Sequence, residues 1–259
     1  MINVNIVDYN LLLAFWFAFT RFLAITMQLP LFDNVAIPTL VKILTCLIMT
    51  YAFFPGISGG LLSDIAYVGD NSFWILTLFN AFVGITVGLL VKLIMNLFVG
   101  AGSVITQQIG FGMVRYFDPT FSQQLGPFEQ LISWVILIMV LTSGALFPMF
   151  KGLLATFDSI TILNINKLIA MPSFFNEFFK SVFLSSLMLA SPLIFTNLII
   201  MAILGIIARM VPQMNVLMVS FIVNIWLGLL VFWACSSEFF QVAFRLYTEQ
   251  LGVWFKFLM

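Results

Sequence analysis

The sequence contains no histidine, and charged residues make up only 8% of its 259 positions. The missing histidine excludes Ser-His-Asp and Cys-His catalysis, histidine-ligated haem and most zinc sites. A soluble globular chain carries about 25% charged residues, so an ordinary water-soluble enzyme is excluded as well. The formal net charge is +0, and without a basic cluster we expect no binding of nucleic acid.

Cysteine is also scarce. Cys46 and Cys235 are the two cysteines, and they lie in separate apolar runs without CxxC spacing. Such thiols are typical of free, buried cysteines. The motifs HExxH, GxSxG and GxxxxGK[ST] are missing too, which disfavours a membrane-embedded enzyme. We therefore expect no catalytic residues, no cofactor and no metal site.

Apolar residues, by contrast, make up 63% of the sequence, and phenylalanine alone occurs 31 times. Several runs with few or no charges reach the length of about 20 residues that a helix needs to cross hydrocarbon. These runs do not alternate with period two, which disfavours a barrel. We predict an all-α integral membrane protein of about six long hydrophobic helices arranged as hairpins. The expected segments lie near 9–29, 35–55, 73–99, 128–150, 178–207 and 213–235.

Three basic side chains interrupt these segments: Arg21, Lys42 and Lys92. Each costs about 2.5–3.5 kcal/mol at the centre of a bilayer, so each requires a partner, water or surrounding protein. For Lys42 and Lys92, reaching a nearby interface with the long side chain is an equal alternative. Arg21 lies deep in its segment, and we expect it in a polar pocket of an assembly.

Asn80, Gly84 and Gly88 recur every four residues and share one face of a predicted helix. Small residues at this spacing let another helix backbone approach closely. The pattern therefore predicts helix packing at this face, although it does not identify the partner.

The stretch 100–129 is too polar and too rich in glycine for a continuous spanning helix. It also holds the apolar side chains of Phe111, Met113, Phe117 and Phe121. One interpretation is a solvent-facing connecting loop whose aromatic side chains pack on its neighbours. The other is an apolar constriction on glycine hinges, which closes a pathway and can move aside.

Two prolines in this stretch predict helix starts. Asp118 followed by Pro119 is typical of an N-cap and a first helical residue, so a short helix is expected there. Pro127 with Glu129 predicts the start of the next long segment, because an acidic residue is favourable in the first turn.

The second half of the chain supports two further predictions. The charged stretch 151–180 is expected to be a surface connection with one short helix starting near Pro172. The stretch 236–259 has polar residues at steps of three and four, which predicts an amphipathic helix at a membrane interface or against a partner helix.

The block 209–215 is predicted to be a tight turn. Pro212 cannot continue a helix without losing a hydrogen bond and clashing with the preceding turn. The block should therefore join 181–208 and 213–235 as a helical hairpin.

Four blocks of the sequence resemble one known family. They are the run SPLIFTNLIIMAILGIIARMVPQMNVLMVSF, the N-terminal pattern Arg21, Pro30, Pro38 and Lys42, the set Asn80, Gly84 and Gly88, and the central GSVITQQIGFGM followed by DP. RMVPQMNV is the most specific of these. The length and the order of the blocks resemble the FliR family of flagellar export-gate proteins, whose relatives in virulence secretion are called SctT.

This resemblance implies a structural pore subunit of the flagellar-type type III export gate, and not an enzyme. It implies assembly with FliP- and FliQ-like proteins, an FlhB-like subunit as a further partner, and unfolded export substrates. The expected location is the bacterial inner membrane at the flagellar basal body, with the core raised toward the periplasm. A FliP-like part (1–127, with a plug loop near 106–128) and a second part (128–259, with a FliQ-like hairpin at 181–235) are also implied.

The family's central loop projects into the lumen and helps to plug the closed pore. The plug residues that the resemblance implies are Gly110, Phe111, Gly112, Met113, Phe117, Asp118, Pro119 and Phe121. The residues that it implies for subunit packing are Arg21, Lys42, Asn80, Gly84, Gly88, Asn197, Arg209, Pro212, Gln213 and Asn215. The alternative function is a secondary transporter or small-solute channel, because broken helices and charges at membrane depth also mark transport sites.

Overall fold

A computed structural model describes residues 8–29, 32, 37–69, 73–113, 126–164, 166–211, 213 and 215–258. These ranges contain helices, short turns and connections, and no β-strand. The α-helices are α1 (Tyr9–Thr26), α2 (Thr39–Val68), α3 (Phe73–Ile109), α4 (Pro127–Thr142), α5 (Leu146–Ser159), α6 (Asn166–Met210) and α7 (Val216–Leu258). Five of them are long and apolar enough to cross a membrane, and α4 with α5 make a sixth if counted as one broken span. The prediction of an all-α membrane protein is confirmed.

Local sequence explains where several helices begin and end. Helix α4 begins at Pro127, as predicted, and Glu129 Oε2 accepts the Gly126 N–H at 2.7 Å. Proline suits the first helical position because its missing N–H would have no partner there. Gly69, with φ +86°, ends α2, and Gly144, with φ +72°, lies between α4 and α5.

Two helices run further than predicted. Helix α2 continues through Pro55 to Val68 because Ile57, Leu61 and Ile65 extend its buried face at steps of four. Helix α3 continues for ten residues beyond position 99. Its last three turns bury Ala101, Ile105 and Ile109 completely, so their packing outweighs the low helix propensity of the glycines nearby.

The expected surface connection at 151–180 was wrong. Helix α5 occupies its first part, and α6 begins at Asn166 and runs through Pro172 without a separate short helix. The break expected at 209–215 is confirmed, because α6 ends at Met210 and α7 begins at Val216.

The stretch 236–259 is amphipathic, as predicted, but it is the second half of α7 and not a separate helix. Phe239, Ala243 and Tyr247 are buried at steps of four, whereas Gln241 and Arg245 are exposed. The apolar face keeps its helical register across position 236, so nothing in the sequence ends the helix there.

The chain divides into two compact units. The first unit comprises 1–93, 146–178 and 251–259, and the second comprises 94–145 and 179–250. The core of the first unit contains Leu13, Ala14, Phe17, Ala18, Phe22, Ile57, Leu61, Ile65, Leu76 and Phe157. In the second unit, the ring of Phe232 packs on those of Phe128 and Phe239. The predicted division into a FliP-like part (1–127) and a second part with a FliQ-like hairpin (128–259) is a different statement, and it stays a prediction.

Both cysteines are free, as expected. Cys46 is completely buried in α2, and Cys235 is half-buried in α7.

Candidate functional site

Arg21 lies in the middle of α1 and is completely buried in the first unit. Its Nη1 donates to the carbonyl of Thr156 at 2.8 Å and its Nη2 to the carbonyl of Ile160 at 3.1 Å. Its Nε donates to Asn80 Oδ1 at 3.0 Å, and the guanidinium lies 4.5 Å from the ring centroid of Phe157. The cation thus sits at the carbonyl end of α5, where the helix dipole favours positive charge.

Asn80 fixes the direction of the Arg21 side chain. The Asn80 amide donates to the carbonyl of Leu76 at 2.9 Å, one turn earlier in α3. This bond leaves the amide oxygen free to accept from Arg21. The polar pocket expected for Arg21 is therefore built by its own chain. A contribution of Arg21 to packing between subunits stays a prediction.

Asp64 of α2 contacts the chain just after α5, close to the carbonyls that accept from Arg21. Its Oδ1 accepts the N–H of Ile162 at 3.0 Å, just after α5, and it interacts electrostatically with Arg21. The carboxylate is buried, and its Oδ2 has no hydrogen-bond partner among the described residues. Arg21 and Asp64 together fix the chain from Thr156 to Ile162.

The close approach predicted for Gly84 and Gly88 occurs within the chain. A Cβ at Gly84 would lie 2.7 Å from the Arg21 carbonyl oxygen, and one at Gly88 would lie 3.2 Å from the Ile25 Cα. Both contacts are with α1, so the partner that the sequence left open is the first helix of the same chain. Packing of these residues against other subunits remains a prediction.

The central stretch leaves α3 and enters α4 at one place in the second unit. Gly110, with φ +95°, ends α3 in a left-handed turn, and the Phe111 ring lies 5.8 Å from that of Phe128. A Cβ at Gly102 would lie 2.6 Å from the Glu129 Cα, so α3 and the start of α4 touch backbone to backbone. The two ends of the stretch are therefore in contact, and we call the contacts of Phe111 with Phe128 and of Gly102 with Glu129 the joined base.

Part of the predicted plug lies outside the described residues. This applies to Phe117, Asp118, Pro119, Phe121 and the short helix expected after Asp118, and also to the side chain of Met113. Gly112 follows Phe111 in a short 3₁₀ turn. Gly100 and Gly102 lie within α3, so they are contact points for neighbouring groups and not hinges.

Asn197 and Asn224 each lie against the end of α3, near the joined base. Asn197 of α6 donates from Nδ2 to Gln108 Oε1 of α3. The Cβ of Asn224 in α7 lies 3.9 Å from where a Cβ at Gly110 would be. Amide pairs of this kind hold helices together in an apolar environment. Asn197, which was expected to pack against another subunit, thus forms a hydrogen bond within its own chain.

The turn between α6 and α7 exposes polar groups. Arg209, Gln213 and Asn215 are exposed, and Asn215 Oδ1 accepts the Met218 N–H at 3.3 Å, as an N-cap does. Pro212 lies outside the described residues. Lys42 lies in the first turn of α2 and is partly exposed. These side chains are accessible for subunit packing, which stays a prediction.

The described residues contain no group of three Cys, Asp or Glu side chains that could hold a metal ion. The candidate site has two parts. In the first unit, Arg21 and Asp64 hold the end of α5 and the residues after it. In the second unit, the end of α3 contacts the start of α4.

The sequence pattern that defines a known family, described as bacterial export proteins, family 1, matches residues 12–250. The chain belongs to this family.

The curated relatives of this chain carry the name flagellar biosynthetic protein FliR. The protein from Bacillus subtilis is 26% identical over 237 residues, which are 88% of this chain and 88% of the relative. The one from Aquifex aeolicus is 23% identical over 227 residues, or 88% and 86% of the two chains. The one from Escherichia coli is 25% identical over 221 residues, or 84% and 81%. The resemblance to the FliR family is confirmed.

Sequence reasoning missed Asp64 and Asn224 in this FliR-family chain. The segment predicted at 35–55 ends before Asp64, so the sequence gives no reason to expect its burial. Asn224 is one polar residue in a long apolar run, and that isolation was the available signal, because buried polar groups in apolar segments need partners.

The left-handed turn at Gly110 gives a testable prediction. Gly110→Ala should lower the thermal stability of the purified complex, because an L-residue in this conformation costs about 1–2 kcal/mol. Gly112→Ala is the matched control, since its Cβ would meet Gln107 at an ordinary 3.7 Å. Thermal unfolding of the two variants measures the difference, and equal melting temperatures would contradict the assigned turn.

Proposed function

We propose that this chain is a structural pore subunit of a flagellar-type type III protein export gate. Its family makes it a component of a bacterial export apparatus, and its relatives carry a flagellar name. Its long apolar helices assign it to a membrane. The finer proposal is assembly with FliP- and FliQ-like proteins beside an FlhB-like subunit. The complex then lies in the inner membrane at the basal body, raised toward the periplasm, and conducts unfolded substrates.

The observation that carries the assembly is the exposed apolar face of α6. From Phe179 to Met210 this face is about 47 Å long at a rise of about 1.5 Å per residue. The hydrocarbon core of a bilayer is about 30 Å thick, and a helix tilt of about 40° still leaves about 36 Å along the membrane normal. The exposed apolar side chains are Phe179, Phe183, Leu184, Met188, Phe195, Leu198, Ile199, Met201, Ile203, Ile206 and Met210.

A single chain in a bilayer would leave part of this face outside the hydrocarbon core, among the headgroups or in water. Apolar side chains in water favour burial by about 25 cal/mol for each Å² that is covered. Helices of neighbouring subunits supply such a cover above the membrane, whereas a monomeric transporter does not. The length of the face therefore supports a subunit of a larger helical assembly.

The plug is proposed for the stretch between Gly110 and Gly126. Support comes from its joined base, because Phe111 and Phe128 are in contact and both ends are fixed to helices of the second unit. A stretch with fixed ends can occupy a lumen and move aside without releasing the helices. Apolar side chains across a narrow pore exclude ions by dewetting.

The experiment removes the middle of the stretch and keeps its base. Deleting residues 115–122 should leave the complex with FliP- and FliQ-like partners assembled but let ions through in planar bilayers. Phe117→Ala combined with Phe121→Ala should leak in the same direction. The control is Phe147→Ala, because Phe147 is exposed near the start of α5 and belongs neither to the stretch nor to the exposed face of α6.

The outcomes separate the two interpretations of the stretch. A leak with normal assembly supports the plug. Lost assembly of the double alanine variant without a leak indicates that the aromatic side chains only pack. Normal assembly with conductance as low as that of the unaltered complex would refute the plug.

A further inference from the structure

The last residues of α7 are part of the first unit. The segment 251–258, which we call the α7 end, is grouped there with residues 1–93 and 146–178. Leu251 is 4% exposed, and Trp254 is completely buried and is one of the largest fully buried side chains of the described chain. The family pattern matches residues 12–250. The first unit therefore takes part of its core from residues that this pattern does not cover.

The α7 end contacts α5 most closely at Gly152. A Cβ at Gly152 would meet the Phe255 ring at Cε1 and lie 2.7 Å from its Cδ1, so the ring occupies the space that any larger residue would need. Thr156 and Ile160 follow Gly152 at steps of four, and their carbonyls accept from Arg21. The contact with Phe255 thus lies one turn before the first of these acceptors.

The end of α5 is held by α1 and α2. Arg21 of α1 donates to its last carbonyls, and a Cβ at Gly60 of α2 would lie 2.6 Å from the Phe157 carbonyl oxygen. Without the α7 end, the unit would lose the Trp254 and Phe255 side chains, and its helices would shift to fill part of the space. An N–H···O bond requires a donor–acceptor distance of about 2.7–3.2 Å. A shift of α5 by about 1 Å would therefore break the two carbonyl bonds of Arg21.

We propose that the α7 end is the closing element of the first unit, because its docking on α5 holds the carbonyls of Thr156 and Ile160 against Arg21. A chain is made from its N-terminus, so this segment follows every other described part of the unit. Until it docks, Arg21 is a cation in an apolar segment without these acceptors. A chain that ends before position 251 is therefore excluded from the assembled complex. This inference goes beyond the proposed pore function and does not depend on the plug.

The first test ends the chain after Gln250. This variant should reach at most a tenth of the unaltered amount in membranes and in the purified complex. The matched control is Val253→Ser combined with Lys256→Gln, because both side chains are exposed and the buried ones are kept. The control should assemble normally. Normal assembly of the shortened chain would overturn the closing element, and so would an equal loss in the control.

The second test asks whether Phe255 acts on Arg21 through α5. Changes at separate sites without shared partners usually have additive effects on stability. If Phe255 positions the acceptors of Arg21, then Arg21→Met should lower the melting temperature of the purified complex less in a Phe255→Ala background than by itself. Val253→Ala is the control background, in which the effect of Arg21→Met should be unchanged. Additive losses with Phe255→Ala would overturn the coupling.

The third test follows the docking itself and needs no unstable variant. Gly152→Cys with Phe255→Cys is built in a Cys46→Ala, Cys235→Ala background and treated with a short bis-methanethiosulfonate reagent at intervals after pulse labelling. The cross-link should form in newly made chains before they enter the complex, and it should form in nearly all assembled chains. Assembled chains that do not cross-link would overturn the contact, and cross-linking that begins only after assembly would overturn the closing step.

Discussion

Arg21→Met is expected to reduce the amount of folded complex sharply. The change removes three hydrogen-bond donors from the carbonyls of Thr156 and Ile160 and from Asn80, and it leaves Asp64 without its opposite charge. Removing one member of a buried charged network typically costs about 3–5 kcal/mol. The measurement is the thermal unfolding of the purified complex, together with its abundance in membranes.

Arg245→Met is the matched control for Arg21→Met. Arg245 also pairs with a carboxylate, Glu249 at 2.8 Å, but both side chains are largely exposed. Such surface pairs contribute about 0–1 kcal/mol, so this variant should unfold close to the unaltered complex. If both arginine variants behave alike, the buried network contributes no more to stability than a surface pair.

The role of Asp64 can be separated by a double variant. Asp64→Asn keeps an oxygen for the Ile162 N–H but removes the negative charge. Added to Arg21→Met, it should cost less than it does alone, because the carboxylate no longer has an opposite charge to lose. A double-mutant cycle measures this coupling, and strictly additive losses would show that the two charges do not interact.

Gly84→Ala should also destabilise the complex strongly. The new Cβ would lie 2.7 Å from both the Arg21 carbonyl oxygen and the Ala24 Cβ, so α1 and α3 must separate. Overpacking of this kind costs about 1–3 kcal/mol, and the shift would also displace Arg21. The expected result is a lower melting temperature and a lower yield of assembled complex.

Gly205→Ala provides the opposite control. Gly205 lies in α6, and a Cβ there would meet nothing within 4 Å in the chain. Alanine at an open helical position is favoured over glycine by about 0.5–1 kcal/mol, so this variant should be neutral or more stable when the chain is alone. Loss of assembly by Gly205→Ala with an intact chain would instead mark Gly205 as a contact for a sister subunit.

The sequence alone determined that this protein is all-α and that its surroundings are a membrane or a large assembly. Long apolar runs with few charges can be accommodated only as helices in a membrane or in a large assembly, because every backbone polar group must then be satisfied within the helix. Local chemistry also determined the start of α4 at Pro127 and the break before α7. These features depend on neighbouring residues alone, so a single sequence is sufficient to predict them.

The family could be predicted as well, because the block RMVPQMNV and three others resemble the FliR family in their residues and in their order. The wider match over residues 12–250 confirmed it. Which residues act in the pore could not be fixed in this way, since the family pattern does not distinguish a contact within the chain from one between chains.

Only the tertiary structure decided how far each helix runs and what its polar residues contact. Helix α3 passes through Gly100 and Gly102 because neighbouring side chains and backbone pack against them. A glycine in an apolar segment can end its helix, or it can let a second helix pack closely against it. Which of these occurs depends on the residues that pack against the glycine in the folded chain. For the same reason, the sequence marked Arg21 as a costly charge, but the carbonyls that offset it come from residues 135 and 139 positions away.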